Sequence, residues 1–145
     1  MKNGFKISVR LSAPPEQVYR AWLSGREHSA MTGGKASVKA RIGGRHTAWN
    51  GHIRGKNLKL KRNRRIVQTW RTREFPKNAP DSRIEVRIAR ASKGSKLTLI
   101  HTRLTPKQVR QYSSGWRTHY FKPMRKYFSA KTPAKRRSRG STRRR

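Results

Sequence analysis

Phe5, Ile7, Val9 and Leu11 alternate with Lys6, Ser8 and Arg10, the period-two pattern of a strand with one buried face. Ser12-Ala13-Pro14-Pro15-Glu16 then reads as a helix start. Proline fits the first turn, where its missing N–H is no loss, and an acid suits the positive end of the helix dipole. Val18, Tyr19, Trp22 and Leu23 follow at helical spacing. Gly25 is expected to end this helix, and residues 26–32 to form a second short one. Strands come next. Val38, Ala40 and Ile42 alternate up to Gly43-Gly44, a two-residue hairpin signal, and a strand over 45–49 runs into Asn50-Gly51, a stronger one. Two further strands are expected over 52–61 and 65–73, carrying Ile53, Leu58, Leu60, Ile66, Val67 and Trp70. Pro76 and Pro80 bracket a loop. Ile84, Val86 and Ile88 alternate with Glu85 and Arg87, and Lys93-Gly94 turns the chain towards Leu97, Leu99 and Leu104.

From residue 106 the period becomes helical. Val109, Tyr112, Trp116, Tyr120, Met124, Tyr127 and Phe128 form one aromatic stripe, with Gly115 and Pro123 inside it. A proline there is expected to kink the helix. The order predicts an α+β fold: a strand, two short helices, a run of antiparallel strands, and a long C-terminal helix. A curved sheet wrapped round that helix buries the stripe. The domain is expected to span residues 1–130. Residues 131–145 hold no hydrophobe larger than Ala134 and are expected to form an Arg-rich tail, disordered unless RNA orders it.

Charge changes the picture most. The 145 residues include 39 Lys and Arg against 5 acids, a formal net charge of +34. A small free domain is comfortable at a net charge of about 2–8 in magnitude. The acids are Glu16, Glu27, Glu74, Asp81 and Glu85, so every segment is acid-poor rather than one face. Arginines outnumber lysines, and guanidinium pairs bidentately with phosphate. Such all-round basicity suits a domain enclosed by phosphate, as in a large ribonucleoprotein; a surface supercharged by design reads the same way. Lys56, Lys59, Lys61, Arg62, Arg64 and Arg65 cluster at one predicted hairpin, with Arg71 and Arg73 on its second strand. In the tail, Lys135, Arg136, Arg137, Arg139, Arg143, Arg144 and Arg145 continue the run. With no zinc-finger, basic-zipper or aromatic RNA-recognition signature, these residues are expected to bind phosphates and shape rather than bases.

Other chemistry finds little support. There is no cysteine, so disulfides and thiolate metal sites are excluded. No apolar run reaches the ~18 residues of a membrane span, so no membrane partner is expected. The acids form no catalytic pair: Glu16 belongs to a helix start and Glu85 points outward on a strand. His28, His46, His52, His101 and His119 show no compact metal-ligand spacing. His46 and His52 flank a turn and would be the pair to face each other, whereas His101 reads as a hydrogen-bonded interior residue. Thr32-Gly33-Gly34-Lys35 lacks the spacing of a phosphate loop. No cofactor and no enzyme activity are expected. Tyr19, Trp22, Trp49, Trp70, Trp116, Tyr120 and Met124 read either as core or as the lining of an apolar cavity.

Several stretches resemble the family named for the activator of the large heat-shock chaperone's ATPase. They are 13–22 (Ala-Pro-Pro-Glu-Gln-Val-Tyr-Arg-Ala-Trp), 32–37 (Thr-Gly-Gly-Lys-Ala-Ser), Gly43-Gly44 through Ile53, 65–71 (Arg-Ile-Val-Gln-Thr-Trp-Arg), 82–86, 97–101 and Gly115-Trp116. The resemblance spans residues 5–128 in order and implies a START-like helix-grip fold. It also implies either contact with the chaperone or a cavity between sheet and terminal helix. The family's usual surface is neutral or acidic, and this one is basic. The reading that charge favours is therefore a non-enzymatic, cytoplasmic RNA-binding protein, most directly a ribosomal or ribosome-associated one contacting rRNA. The alternative is a chaperone-interacting or apolar-ligand-binding helix-grip domain.

Overall fold

The computed structural model describes residues 3–131; of the tail expected over 131–145, Lys131 ends the last helix and the rest, including Lys135 to Arg145, lies outside the described residues. In chain order the elements are β1 (Phe5–Leu11), α1 (Pro15–Leu23), α2 (Gly25–Thr32), β2 (Ser37–Val38), β3 (Arg45–Ala48) and β4 (Ile53–Lys61). β5 (Arg65–Thr72), β6 (Ser82–Ala91), β7 (Gly94–Thr102), α3 (Pro106–Trp116), a π-helical turn (Arg117–Phe121) and α4 (Lys122–Lys131) follow. The strands form one antiparallel sheet in the order β1-β7-β6-β5-β4-β3-β2. This is the expected α+β helix-grip arrangement, a curved sheet closed on one side by helices.

Register carries the alternation of each strand across the whole sheet. Ile7 pairs with Leu99, Leu99 with Val86, and Val86 with Ile66, so apolar side chains line up in cross-strand rows under the helices. An outward row is polar: Lys61 pairs with Arg65, Arg65 with Arg87, and Arg87 with Thr98. The core therefore sits between one sheet face and the helices, where Val18, Trp22, Met31, Trp116, Met124 and Phe128 are buried.

The helix ends follow their local chemistry. Pro15 and Glu16 open α1. Ser24, not Gly25, stands between the first two helices, and its hydroxyl accepts the Glu27 N–H at the start of α2 (3.2 Å). Gly25 opens α2 because its bare Cα lies against the Ala36 carbonyl, where a Cβ would come within 3.2 Å. Thr105 and Gln108 form a reciprocal capping box on α3 (3.0 and 3.2 Å). The expected kink at Pro123 takes the form of the π-helical turn just before it, in which the Lys122 N–H reaches back to the Arg117 carbonyl. Proline has no N–H to close the ladder, and the wider turn absorbs the mismatch.

One expected strand is cut short. Strand β2 stops at Val38, and residues 39–44 form a loop with Ile42 exposed at its tip. The buried Asn57 side chain holds that loop by donating to the carbonyls of Lys39 (2.8 Å) and Arg41 (3.0 Å), bonds that a regular ladder would have used. The Asn50-Gly51 turn forms as expected, with both residues at positive φ (60° and 83°).

Candidate functional site

Between β3–β5 and the terminal helix lies a cavity of about 460 Å³. Its floor is buried: Ile53, Trp70, Thr72, Tyr112, Trp116 and Tyr120. Exposed Glu74, Gln111 and His119 stand at its rim, and the Gln111 side chain donates to the Glu74 carboxylate across the mouth (2.6 Å). Trp49, His52 and Gly115 complete the wall. Four of the seven aromatic and Met side chains expected at a cavity therefore line it: Trp49, Trp70, Trp116 and Tyr120. Trp22 packs behind it, stacked on Trp116 at 6.1 Å, and Met124 is fully buried in the core. Tyr19 lies on α1, half-buried at the edge of the core, outside the lining.

Hydrogen bonds fix the floor. The Trp116 indole N–H donates to His101 Nδ1 (3.0 Å), which leaves His101 Nε2–H to donate to the Ser82 hydroxyl (2.8 Å). Ser82 in turn donates to the Trp70 carbonyl (2.6 Å). His101 is the hydrogen-bonded interior residue expected from its strand position, and burial lowers its pKa to about 3. His28 donates from Nδ1 to the Trp22 carbonyl and accepts the Tyr120 hydroxyl proton at Nε2, both at 2.8 Å. Burial lowers it to about 4 despite its bond to the Trp22 carbonyl, and burial raises the Tyr120 phenol. Both imidazoles are thus neutral, positioning groups rather than charged ones. The Trp22 N–H continues the network through Gln68 (3.2 Å) to Asn57 (2.8 Å).

One buried group breaks this pattern. Among the described residues, the Trp49 indole nitrogen is the only buried side-chain polar atom without a hydrogen-bond partner. Leaving such a donor unpaired costs roughly 1–3 kcal/mol. Trp49 also sits at φ 50°, a left-handed conformation unusual for a bulky residue. Its ring lies so close over Gly34 that a Cβ there would come within 2.5 Å of it. Gly115 is the complementary feature on α3, since a Cβ built on it meets nothing within 4 Å. The sequence signal was a glycine interrupting an aromatic stripe.

The sheet's outer face is of opposite character. Arg65 and Arg87 both donate to one oxygen of Glu85 (2.8 and 2.6 Å). Burial pushes the Glu85 carboxyl up, but those two hydrogen bonds outweigh it and hold the pKa below the ordinary range. The basic residues expected to act together fall into two groups. Lys61, Arg64 and Arg65 meet Arg87 and Arg90 around an open recess of about 650 Å³ beside the β4–β5 tip. Lys56 and Lys59 continue along β4, opposite Arg45 and Val67. Arg62, at the tip, lies near enough to Tyr19 to counter the rise that burial gives its phenol. Arg71 and Arg73 stand at the other end of β5, about 20 Å away at 3.3 Å per residue. There Arg71 is engaged by Asp81 (2.8 Å) and the carbonyls of Pro76 and Ala79, and Arg73 by the Asn50 carbonyl (3.3 Å). His46 and His52 do not face each other: His46 bonds the Thr69 carbonyl (3.0 Å) and His52 lines the cavity.

The family model described as "Activator of Hsp90 ATPase homolog 1-like protein" matches residues 12–129. The chain belongs to that family. Solved structures with the family's fold include a Plasmodium falciparum protein described as an HSP90 activator, 23% identical, covering 81% of this chain and 89% of its own, with a TM-score of 0.69. A Chromobacterium violaceum protein is 25% identical over 88% of this chain and 98% of its own (TM-score 0.71). The Aha1 dimer of Colwellia psychrerythraea is 14% identical over 86% and 95% (TM-score 0.72). Curated protein sequences give no match. Among the described residues, no group of three His, Asp or Glu side chains is placed to hold a metal ion, and no helix is long and apolar enough to cross a membrane.

Proposed function

We propose that this family member is a non-enzymatic binding domain for a flat, largely apolar small molecule bearing a hydrogen-bond acceptor. The observation that carries the reading is the cavity itself, whose buried floor is chiefly aromatic and whose wall holds an unpartnered indole donor. Its volume lies in the range of small-molecule sites, roughly 300–1,000 Å³, and a few polar groups among aromatic ones is how such sites fix orientation. The Trp49 N–H is closed off from water, so its ring has to turn for an acceptor on the ligand to pair with it, and the aromatic walls would sandwich the ligand's ring. Fluorescence titration with the uncharged probe 6-propionyl-2-dimethylaminonaphthalene, a flat ring system carrying a ketone acceptor, tests this, since the basic surface exerts no net pull on it. Saturable single-site binding is expected, weakened by about tenfold or more in Gly115→Leu, a loss of about 1.4 kcal/mol or more. No binding, or binding indifferent to Gly115→Leu, would refute it.

A second reading is contact with an Hsp90-type chaperone, favoured by the family match and by the relatives described as its activators. Co-precipitation that survives nuclease treatment is its expected outcome. The family match lends nothing to a ribosomal role, so phosphate binding rests on charge alone.

A further inference from the structure

We propose that the outer face of the sheet, together with the recess at the β4–β5 tip, docks the backbone of double-stranded RNA. This goes beyond the ligand reading and stands independently of it, because the two sites share no lining residue.

Register assembles the surface. Lys61, Arg65 and Arg87 lie side by side on β4, β5 and β6, and Arg45 with Lys56, then Arg83 beyond Thr69, makes a second, interrupted cationic row. Adjacent strands are about 4.8 Å apart, so the first row is a dense line of positive charge. The acids do not balance them. Glu85 is shared between two guanidiniums, each with nitrogens to spare, and Asp81 at the margin is engaged by Arg71. In the recess the sole acid is Glu16, 3.7 Å from Arg90, against five cations: Lys61, Arg64, Arg65, Arg87 and Arg90. Lys61, Arg64, Arg87 and Arg90 are all exposed.

What lies between the cations identifies the occupant. The outward positions of β1 and β4–β7 hold Ser8, Val67, Thr69, Ala89, Thr98 and Ile100, and no aromatic side chain. Single-stranded nucleic acid is held by stacking bases on aromatics, for which this face has no platform. Nor does a helix stand on it to enter the major groove of B-form DNA. A broad face of cations and small hydroxyls instead suits A-form RNA, whose wide, shallow minor groove presents 2′-hydroxyls between phosphates.

The test is binding of the full chain to an RNA duplex of about 16 base pairs as salt is varied. The triple variant Lys61→Gln/Arg64→Gln/Arg87→Gln is compared with the charge-matched control Lys107→Gln/Arg110→Gln/Lys126→Gln on the exposed side of α3 and α4. The recess variant is expected to weaken binding about tenfold or more and to lower the log–log salt slope by about 2, from a loss of about 0.7–0.9 per phosphate contact. The control is expected to change little. Equal losses in both variants would overturn the proposal in favour of diffuse charge. Equal or tighter binding of single-stranded RNA, a DNA duplex or anionic vesicles would overturn the choice of partner. Absence of duplex binding at physiological salt would overturn it outright.

Discussion

The two faces of this sheet are made by the same alternating strands and obey opposite rules. Under the helices, aromatic rings interlock and almost every polar atom is paired, down to the tautomers of His28 and His101. On the outside, cations stand beside cations, and each outward carboxylate is already engaged by arginine. A single Val67 marks how the two meet. It is fully buried yet outside the core cluster, on the outer face between Lys59 and Glu85, where only the stems of long side chains can cover it. The inner face therefore supplies the stability of the fold, and the outer face is free to be shaped by a partner.

The comparison is broken most sharply by truncating the inner face. Trp22→Ala removes a side chain that is 2% exposed and strands Gln68 without its donor. It is expected to lower unfolding free energy by about 3–5 kcal/mol in a denaturant titration. Acid attacks the same face. The neutral forms of His28 and His101, lowered to about 4 and about 3, are favoured by the fold, whereas the unfolded chain takes up protons near 6.5. Stability should therefore be intact above that pH and decline as pH falls towards 4, by about 1.4 kcal/mol per pH unit for each histidine. Denaturant midpoints measured through that window check the sign.

Smaller effects sharpen the contrast. Gly115→Leu fills open space on a helix, so it should raise stability by about 1 kcal/mol even as it weakens ligand binding. Overpacking, seen as a fall in melting temperature, would contradict an open cavity. On the outer face, Lys96→Gln should change stability by no more than about 0.5 kcal/mol. Added salt should stabilise the whole protein, because shortening the Debye length from about 30 Å at 0.01 M to about 8 Å at 0.15 M screens repulsion rather than attraction. A melting temperature that falls with salt over that range would show that ion pairs outweigh repulsion.

Local chemistry made much of the architecture legible. Asn50-Gly51, Lys93-Gly94 and the aromatic stripe of the terminal helix each specify their element from neighbouring residues alone. What could not be read depends on distant partners. Residues 39–44 carry a strand-like alternation, but Asn57, far along the chain, captures their carbonyls. Pro123 announced a break, while its form as a π-helical turn depends on how the ladder before it relaxes. At the cavity the aromatic wall was visible as a stripe, whereas the rim residues Glu74 and Gln111 meet only through the fold. The basic recess shows the same limit. Lys61, Arg64 and Arg65 are neighbours in sequence, and only the β5–β6 register brings Arg87 beside them.

Whether the inner face is a binding site can be read from the four indole N–H resonances of the tryptophans in an NMR titration with 6-propionyl-2-dimethylaminonaphthalene, whose ketone supplies an acceptor. The Trp49 N–H, buried and unpartnered in the free protein, is expected to shift most as it pairs with the ketone, with smaller shifts at Trp70 and Trp116 in the wall, while the Trp22 N–H, held by Gln68, stays in place. A spectrum in which none of the four moves, or in which Trp22 moves as far as Trp49, would contradict it.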